Sequence, residues 1–227
     1  MNRYISTPYD VSSHVSELIL NKSPMALFNK KPYSMHTPLE EDGEVDFCFF
    51  KDIDINPTDL NNAYWFSSAL FVGSVLEIVF KKDMDPILED IPDSIPQDLH
   101  FNVKLSVKEK MDNPAKLISQ LNKIIMIKKT ENVDFRSLSF IKTLRDKTIS
   151  PDEIITTFGE NFFWIHKKKP VISNSKFIGN IQITGIKLES EDKDRFLYNF
   201  RAVSIPKEFE THHTVVEKIM KVSRSSS

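Results

Sequence analysis

Six histidines are the candidates for proton transfer: His14, His36, His100, His166, His212 and His213. Cleaving RNA without a metal needs a base for the 2′-hydroxyl and a cation for the charge developing on the phosphorane. A histidine beside lysines is therefore the pattern of interest. His166 has it, because "NFFWIHKKK" runs from an apolar stretch through His166 into Lys167, Lys168 and Lys169. His14 lies one residue before Val15, at the edge of an expected helical stripe. The pair His212–His213 lacks a metal partner four residues on.

More lysines follow a pattern of their own. Lys104 and Lys108 share one face of an expected strand, Lys110 follows it, and Lys116 and Lys123 ride the next helix. If one sheet pairs strands 101–108 and 161–167, these lysines converge with Lys167–Lys169 on one surface, near Phe163, Trp164 and Phe177. Basic charge beside aromatic faces suits single-stranded or hairpin RNA. A plainer reading weighs as much: lysines on edge strands keep sheets from pairing edge to edge.

Other chemistries find no support. There is no Walker loop, no G-x-G-x-x-G, no C-x-x-C and no H-E-x-x-H, so no cofactor and no metal is expected. Asp52/Asp54 and Asp83/Asp85 have the spacing of cation ligands but read as solvated loop charges.

The elements that must position these residues follow from pattern. "YDVSSHVSELILNKS" puts Val11, Val15, Leu18 and Ile19 on one helical stripe with Asp10 or Ser12 as cap; residues 23–44, rich in proline, read as a loop or arm. "VDFCFF" reads as a strand, "NPTDLNNAYWFSSALF" as a helix, "SVLEIVFKK" as a strand, and 83–98 as an acidic connector. "FNVKLSVK" alternates cleanly, with Phe101, Val103, Leu105 and Val107 on one face; a central place in an antiparallel sheet is expected for it. A helix capped by Asn113 and opened by Pro114 follows. "SPDEIITTFGEN" reads as a short helix, then come strands in 161–167, 176–188 and 195–205, and a last helix near "TVVEKIMKV".

From residue 45 the order is strand, helix, strand, strand, helix, strands. The expectation is an α+β, ferredoxin-like fold with an antiparallel sheet and helices on one face. It divides into an N-terminal helix and arm (1–44), a ferredoxin-like region (45–205), and a C-terminal helix and tail (206–227).

Composition bounds the setting. The chain has 227 residues, 40% hydrophobic, with seventeen Phe and only five Gly. A lone cysteine, Cys48, allows no intrachain disulfide and suggests a reducing cytoplasm. No secretory signal is legible at the N-terminus, and the most apolar run is too short and interrupted for a bilayer, so no membrane partner is expected. Net charge is −2, but residues 51–100 hold three basic against ten acidic side chains, and 101–150 eleven basic against five acidic. Such a split marks an anionic ligand, an acidic partner surface, or two solvated faces.

Residues 101–187 resemble the CRISPR repeat-processing endoribonucleases of the F subtype, in the ferredoxin-like RAMP superfamily. The likeness rests on "KMDNPAKLISQLNK", similar to that family's entry into a basic helix, and on the strand–loop–strand "FFWIHKKKPVISNSKFIGNIQITGI". The family's closing signature falls on Thr184, Gly185, Ile186 and Lys187, of which only the glycine and an aliphatic are kept. The resemblance implies an antiviral RNA-binding protein that processes or holds a guide RNA or repeat hairpin within a ribonucleoprotein complex. Cleavage, if present, would leave a 2′,3′-cyclic phosphate, with His14 or His166 as base and the lysines on phosphates. The alternative is a non-enzymatic phage or immunity protein that binds another protein through the acidic 51–100 face.

Overall fold

Thr7 caps the first helix, α1 (Pro8–Val15), through reciprocal bonds. Its hydroxyl accepts from the Asp10 N–H at 3.2 Å, and the Asp10 carboxylate accepts from the Thr7 N–H at 2.9 Å. Ser16 then turns extended and caps α2 (Glu17–Lys22). The expected single stripe is cut there, which leaves Val15 and Leu18 61% and 62% exposed. The computed structural model describes residues 5–52, 57–91, 100–138, 143–144, 147–159, 162–192 and 194–209, and positions 214, 217–218 and 221. Most of the expected C-terminal helix, with His212 and His213, lies outside the described residues.

Two strands occupy the stretch expected as an arm: β1 (Met25–Phe28) and β2 (Lys31–Tyr33). Asn29 and Lys30, with φ of 50° and 63°, make the tight turn between them, and both φ values are positive as in a type I′ hairpin. Pro32 is harmless because β2 is an edge strand. On the other side of β1 lies β3 (Val45–Cys48).

α3 (Pro57–Phe80) runs through the segment expected as a strand at 74–82. An unbroken apolar run does not distinguish a buried helix from a strand by period. Gly73 stays helical and has a packing reason, since a Cβ there would sit 2.8 Å from Leu88 Cδ2. By length and mean hydropathy α3 matches a membrane span, but 78% of its most apolar window is buried inside the protein. Apolar residues all round a helix are what a core position requires.

β4 (Ile87–Asp90) lies within the expected connector. β5 (Phe101–Val107) and α4 (Pro114–Lys129) follow as expected: Phe101, Val103, Leu105 and Val107 are buried, and the Asn113 side chain accepts from the Lys116 N–H at 3.2 Å. Next come β6 (Phe135–Leu138), β7 (Thr143–Leu144) and β8 (Lys147–Thr148). β9 (Glu153–Phe158) replaces the short helix expected at 150–159. Four consecutive β-branched residues, Ile154 to Thr157, favour the pleat over the helix despite the helix-like Ser-Pro opening. β10 (Phe162–Lys167), β11 (Ile178–Asp192) and β12 (Arg195–Pro206) complete the order.

The fold class is α+β with several antiparallel sheets. The ferredoxin-like order needed a strand at 74–82, which is the second half of α3. Two compact units form. The first, Met1–Ser67 with Val133–Phe177, holds the sheets β2-β1-β3 and β10-β9-β6, with Met25, Met35, Phe135 and Ile155 in its core. The second, Ser68–Asn132 with Ile178–Ser227, holds the sheet β11-β12-β5-β4, with Leu70, Val103, Leu105, Leu121 and Phe200 in its core. β5 takes the interior place its alternation predicts, between β12 and β4.

Candidate functional site

His166 lies on β10 and is 9% exposed. Its Nδ1 donates to the Lys167 carbonyl at 2.6 Å, since a carbonyl only accepts. Its Nε2 lies 2.8 Å from Thr156 Oγ1 on the paired strand β9, and Phe66 meets the ring edge-on with centroids 4.7 Å apart. Both ring nitrogens are engaged within the first unit, so this histidine packs the core rather than presenting a base to solvent. His14 is exposed in the last turn of α1. His100 Nδ1 accepts from Arg201 Nη2 at 2.9 Å.

The lysines divide between the two units. β5 and β10 belong to different sheets, so the pairing that would have converged Lys104 and Lys108 with Lys167–Lys169 does not occur. In the second unit Lys104 pairs with Glu189 at 3.0 Å, Lys108 with Asp85 at 2.9 Å, and Lys110 with Glu191 at 2.9 Å. Lys108, by hydrogen bond and charge and with Arg195 behind it, holds the Asp85 carboxyl below the usual carboxylate range. Glu191 in turn raises the Lys110 ammonium above its ordinary value. Lys116 and Lys123 are exposed on α4 and carry no ion pair among the described residues.

In the first unit, Lys167 and Lys168 are exposed at the end of β10. The Lys168 N–H donates to the Asp152 carbonyl at 2.9 Å. The Asp152 carboxyl lies below the usual range, first through the Ser150 hydroxyl and its own backbone, then through the charges of Lys167 and Lys168. Lys169 Nζ stands 5.8 Å from the centre of the Phe66 ring. Of the aromatics expected beside these lysines, Phe163 and Trp164 are half-buried and Phe177 is 9% exposed.

Among the described residues no group of three or more His, Cys, Asp or Glu side chains could hold a metal ion. Asp85 of the Asp83/Asp85 pair is bound instead by Lys108 and by Arg195, whose Nη2 donates to the Asp85 carbonyl at 2.6 Å. Sequence pattern passed over Asn122. Its side-chain amide donates to the Ile183 carbonyl at 2.9 Å and accepts from the Ile183 N–H at 2.7 Å, beside the register shift between Ile183 and Gly185. A polar residue on the half-buried side of α4 was the only signal available.

No protein-family model matches the chain. The chain is 21% identical to the large ribosomal subunit protein mL39 of Drosophila melanogaster, over an alignment of 245 positions that covers 100% of this chain and 73% of that protein. A shorter stretch of 75 residues, 33% of the chain, is 29% identical to 10% of the cytoplasmic threonine–tRNA ligase 1 of Bos taurus. A similarity along the whole chain overturns the CRISPR resemblance drawn on residues 101–187. Guide-RNA processing, antiviral defence and endoribonuclease activity fall with it, and so does the phage- or immunity-protein alternative. The m of mL39 marks a mitochondrial ribosomal protein, so the expectation of a cytoplasmic protein is corrected as well.

Proposed function

We propose that this chain is a structural component of a mitochondrial large ribosomal subunit, with ribosomal RNA and neighbouring ribosomal proteins as its partners. The observation that carries the reading is the similarity to mL39 over the full chain rather than over one motif. The local state of the side chains agrees with it. His166 is engaged on both nitrogens, and Lys104 on β5 and Lys108 just after it are matched by carboxylates in their own unit, an arrangement suited to a scaffold that docks. Lys116 and Lys123 on α4, and Lys167–Lys169 at the end of β10, are the proposed phosphate contacts.

The test is fractionation. The tagged full chain, expressed in its own cell and recovered from lysed mitochondria, is expected to sediment in sucrose gradients with the large subunit and its ribosomal RNA, and to move to light fractions after ribonuclease treatment. Sedimentation only as free protein, or recovery outside mitochondria, would overturn the reading.

A further inference from the structure

The first unit contains a cavity of about 250 Å3 whose walls come from β2, the loop after it, β6, β9 and the segment after β10. Ser137, on β6, lines it at 3% exposure, and its hydroxyl has no hydrogen-bond partner among the described residues. An unpaired buried hydroxyl costs free energy unless something supplies an acceptor. Ser34 lines the same cavity, 5% exposed; its oxygen accepts from the Val171 N–H at 2.9 Å, which leaves its own hydrogen to donate. Lys168 and Lys169 add two ammonium groups to the wall, and Glu40 adds one exposed carboxylate.

We infer that this pocket seats one phosphodiester group of an RNA chain, with Ser137 and Ser34 donating to its oxygens and Lys168 and Lys169 neutralising it. The inference deepens the ribosomal reading by naming the chemical group one pocket takes, and it rests on that reading for the choice of RNA. The diester is the form of phosphate that an RNA chain presents along its length, one negative charge per nucleotide, and the Lys168 and Lys169 ammonium groups supply the opposite charge while Glu40 opposes it.

The experiment uses the purified full chain, titrated by NMR with the dinucleoside monophosphate UpU, with uridine, and with inorganic phosphate. UpU is expected to shift the amide signals of Ser34, Ser137 and Lys168, inorganic phosphate, which presents the same oxygens, to shift them as well, and uridine to leave them in place. Ser137→Ala and Lys168→Ala should each weaken UpU binding by roughly tenfold, the scale of a hydrogen bond to a charged group. Glu40→Gln, which removes a carboxylate from the lining, should tighten UpU binding. The Ser137→Ala protein alone should melt no lower than wild type, because its hydroxyl gives up no bond. The inference is overturned if UpU or phosphate leaves the three amides unmoved, if uridine moves them as UpU does, if the two variants bind UpU like wild type, or if Ser137→Ala melts lower. Loss of co-sedimentation with these shifts intact removes the ribosomal reading alone; co-sedimentation without the shifts removes the pocket alone.

Discussion

His36 packs its ring on Tyr9, with centroids 4.7 Å apart, and holds Nε2 at 3.7 Å from Asp134 Oδ1, beyond hydrogen-bonding reach. Burial lowers its pKa below 6.5, more than the Asp134 charge raises it, and Arg136 adds to the lowering. A histidine with a depressed folded-state pKa binds its proton more readily when unfolded. Its stabilising contribution is therefore complete above about pH 6.5 and shrinks as pH falls towards the folded value. His36→Gln should flatten the loss of stability between about pH 7 and pH 5, measured by urea unfolding at a series of pH values. An unchanged profile would mean that His36 titrates alike in both states. The sequence singles out His166 by the lysines beside it, yet the state of neither histidine is legible there, because each is set by a partner far along the chain: Asp134 for His36, Phe66 for His166. Residue type was legible at this scale, and environment was not.

Elements whose signal was local were legible. β5 declares itself by alternation and α4 by its Asn-Pro opening, and neither depends on distant contacts. α3 and β9 were misread because tertiary burial and β-branching outweigh the local punctuation of Gly73 and Ser150-Pro151. The joint between α4 and β11 depends wholly on contacts that pattern does not show. The Asn122 amide closes both backbone groups of Ile183 where the strand register shifts towards Gly185. Asn122→Ala removes both bonds and leaves a backbone donor and acceptor beside a bulge that cannot pair them along the ladder. The cost should be about 1–3 kcal/mol, read as a lower urea midpoint with unchanged m-value. Asn122→Asp keeps the acceptor for the Ile183 N–H but sets a carboxylate against the Ile183 carbonyl, and is expected to destabilise at least as much. Wild-type stability in either variant would mean that β11 holds its bulge unaided.

For the molecule as a whole the question is which lysines are available to an RNA. A net charge of −2 supplies no general attraction, so binding has to come from particular cations. Lys104, Lys108 and Lys110 already face Glu189, Asp85 and Glu191 at about 3 Å, and a phosphate would gain them only by breaking those pairs. Lys116, Lys123, Lys167 and Lys168 are exposed and form no ion pair of that kind among the described residues. Neutralising a phosphate releases counterions, so each true contact contributes about 0.7 to the slope of log affinity against log salt for single-stranded RNA. The expected outcome is a division between a triple and a quadruple variant of the full chain. Changing Lys104, Lys108 and Lys110 to Ala should leave the salt slope for RNA where it is, while changing Lys116, Lys123, Lys167 and Lys168 to Ala should flatten it by up to about 2.8. Fluorescence anisotropy with a labelled oligonucleotide across a salt series measures both. If the triple variant flattens the slope instead, the ion pairs of Lys104, Lys108 and Lys110 open on binding and the end of β5 faces the RNA. If neither does, the lysines after β10 guard a sheet edge, and the chain holds its place in an assembly through protein contacts.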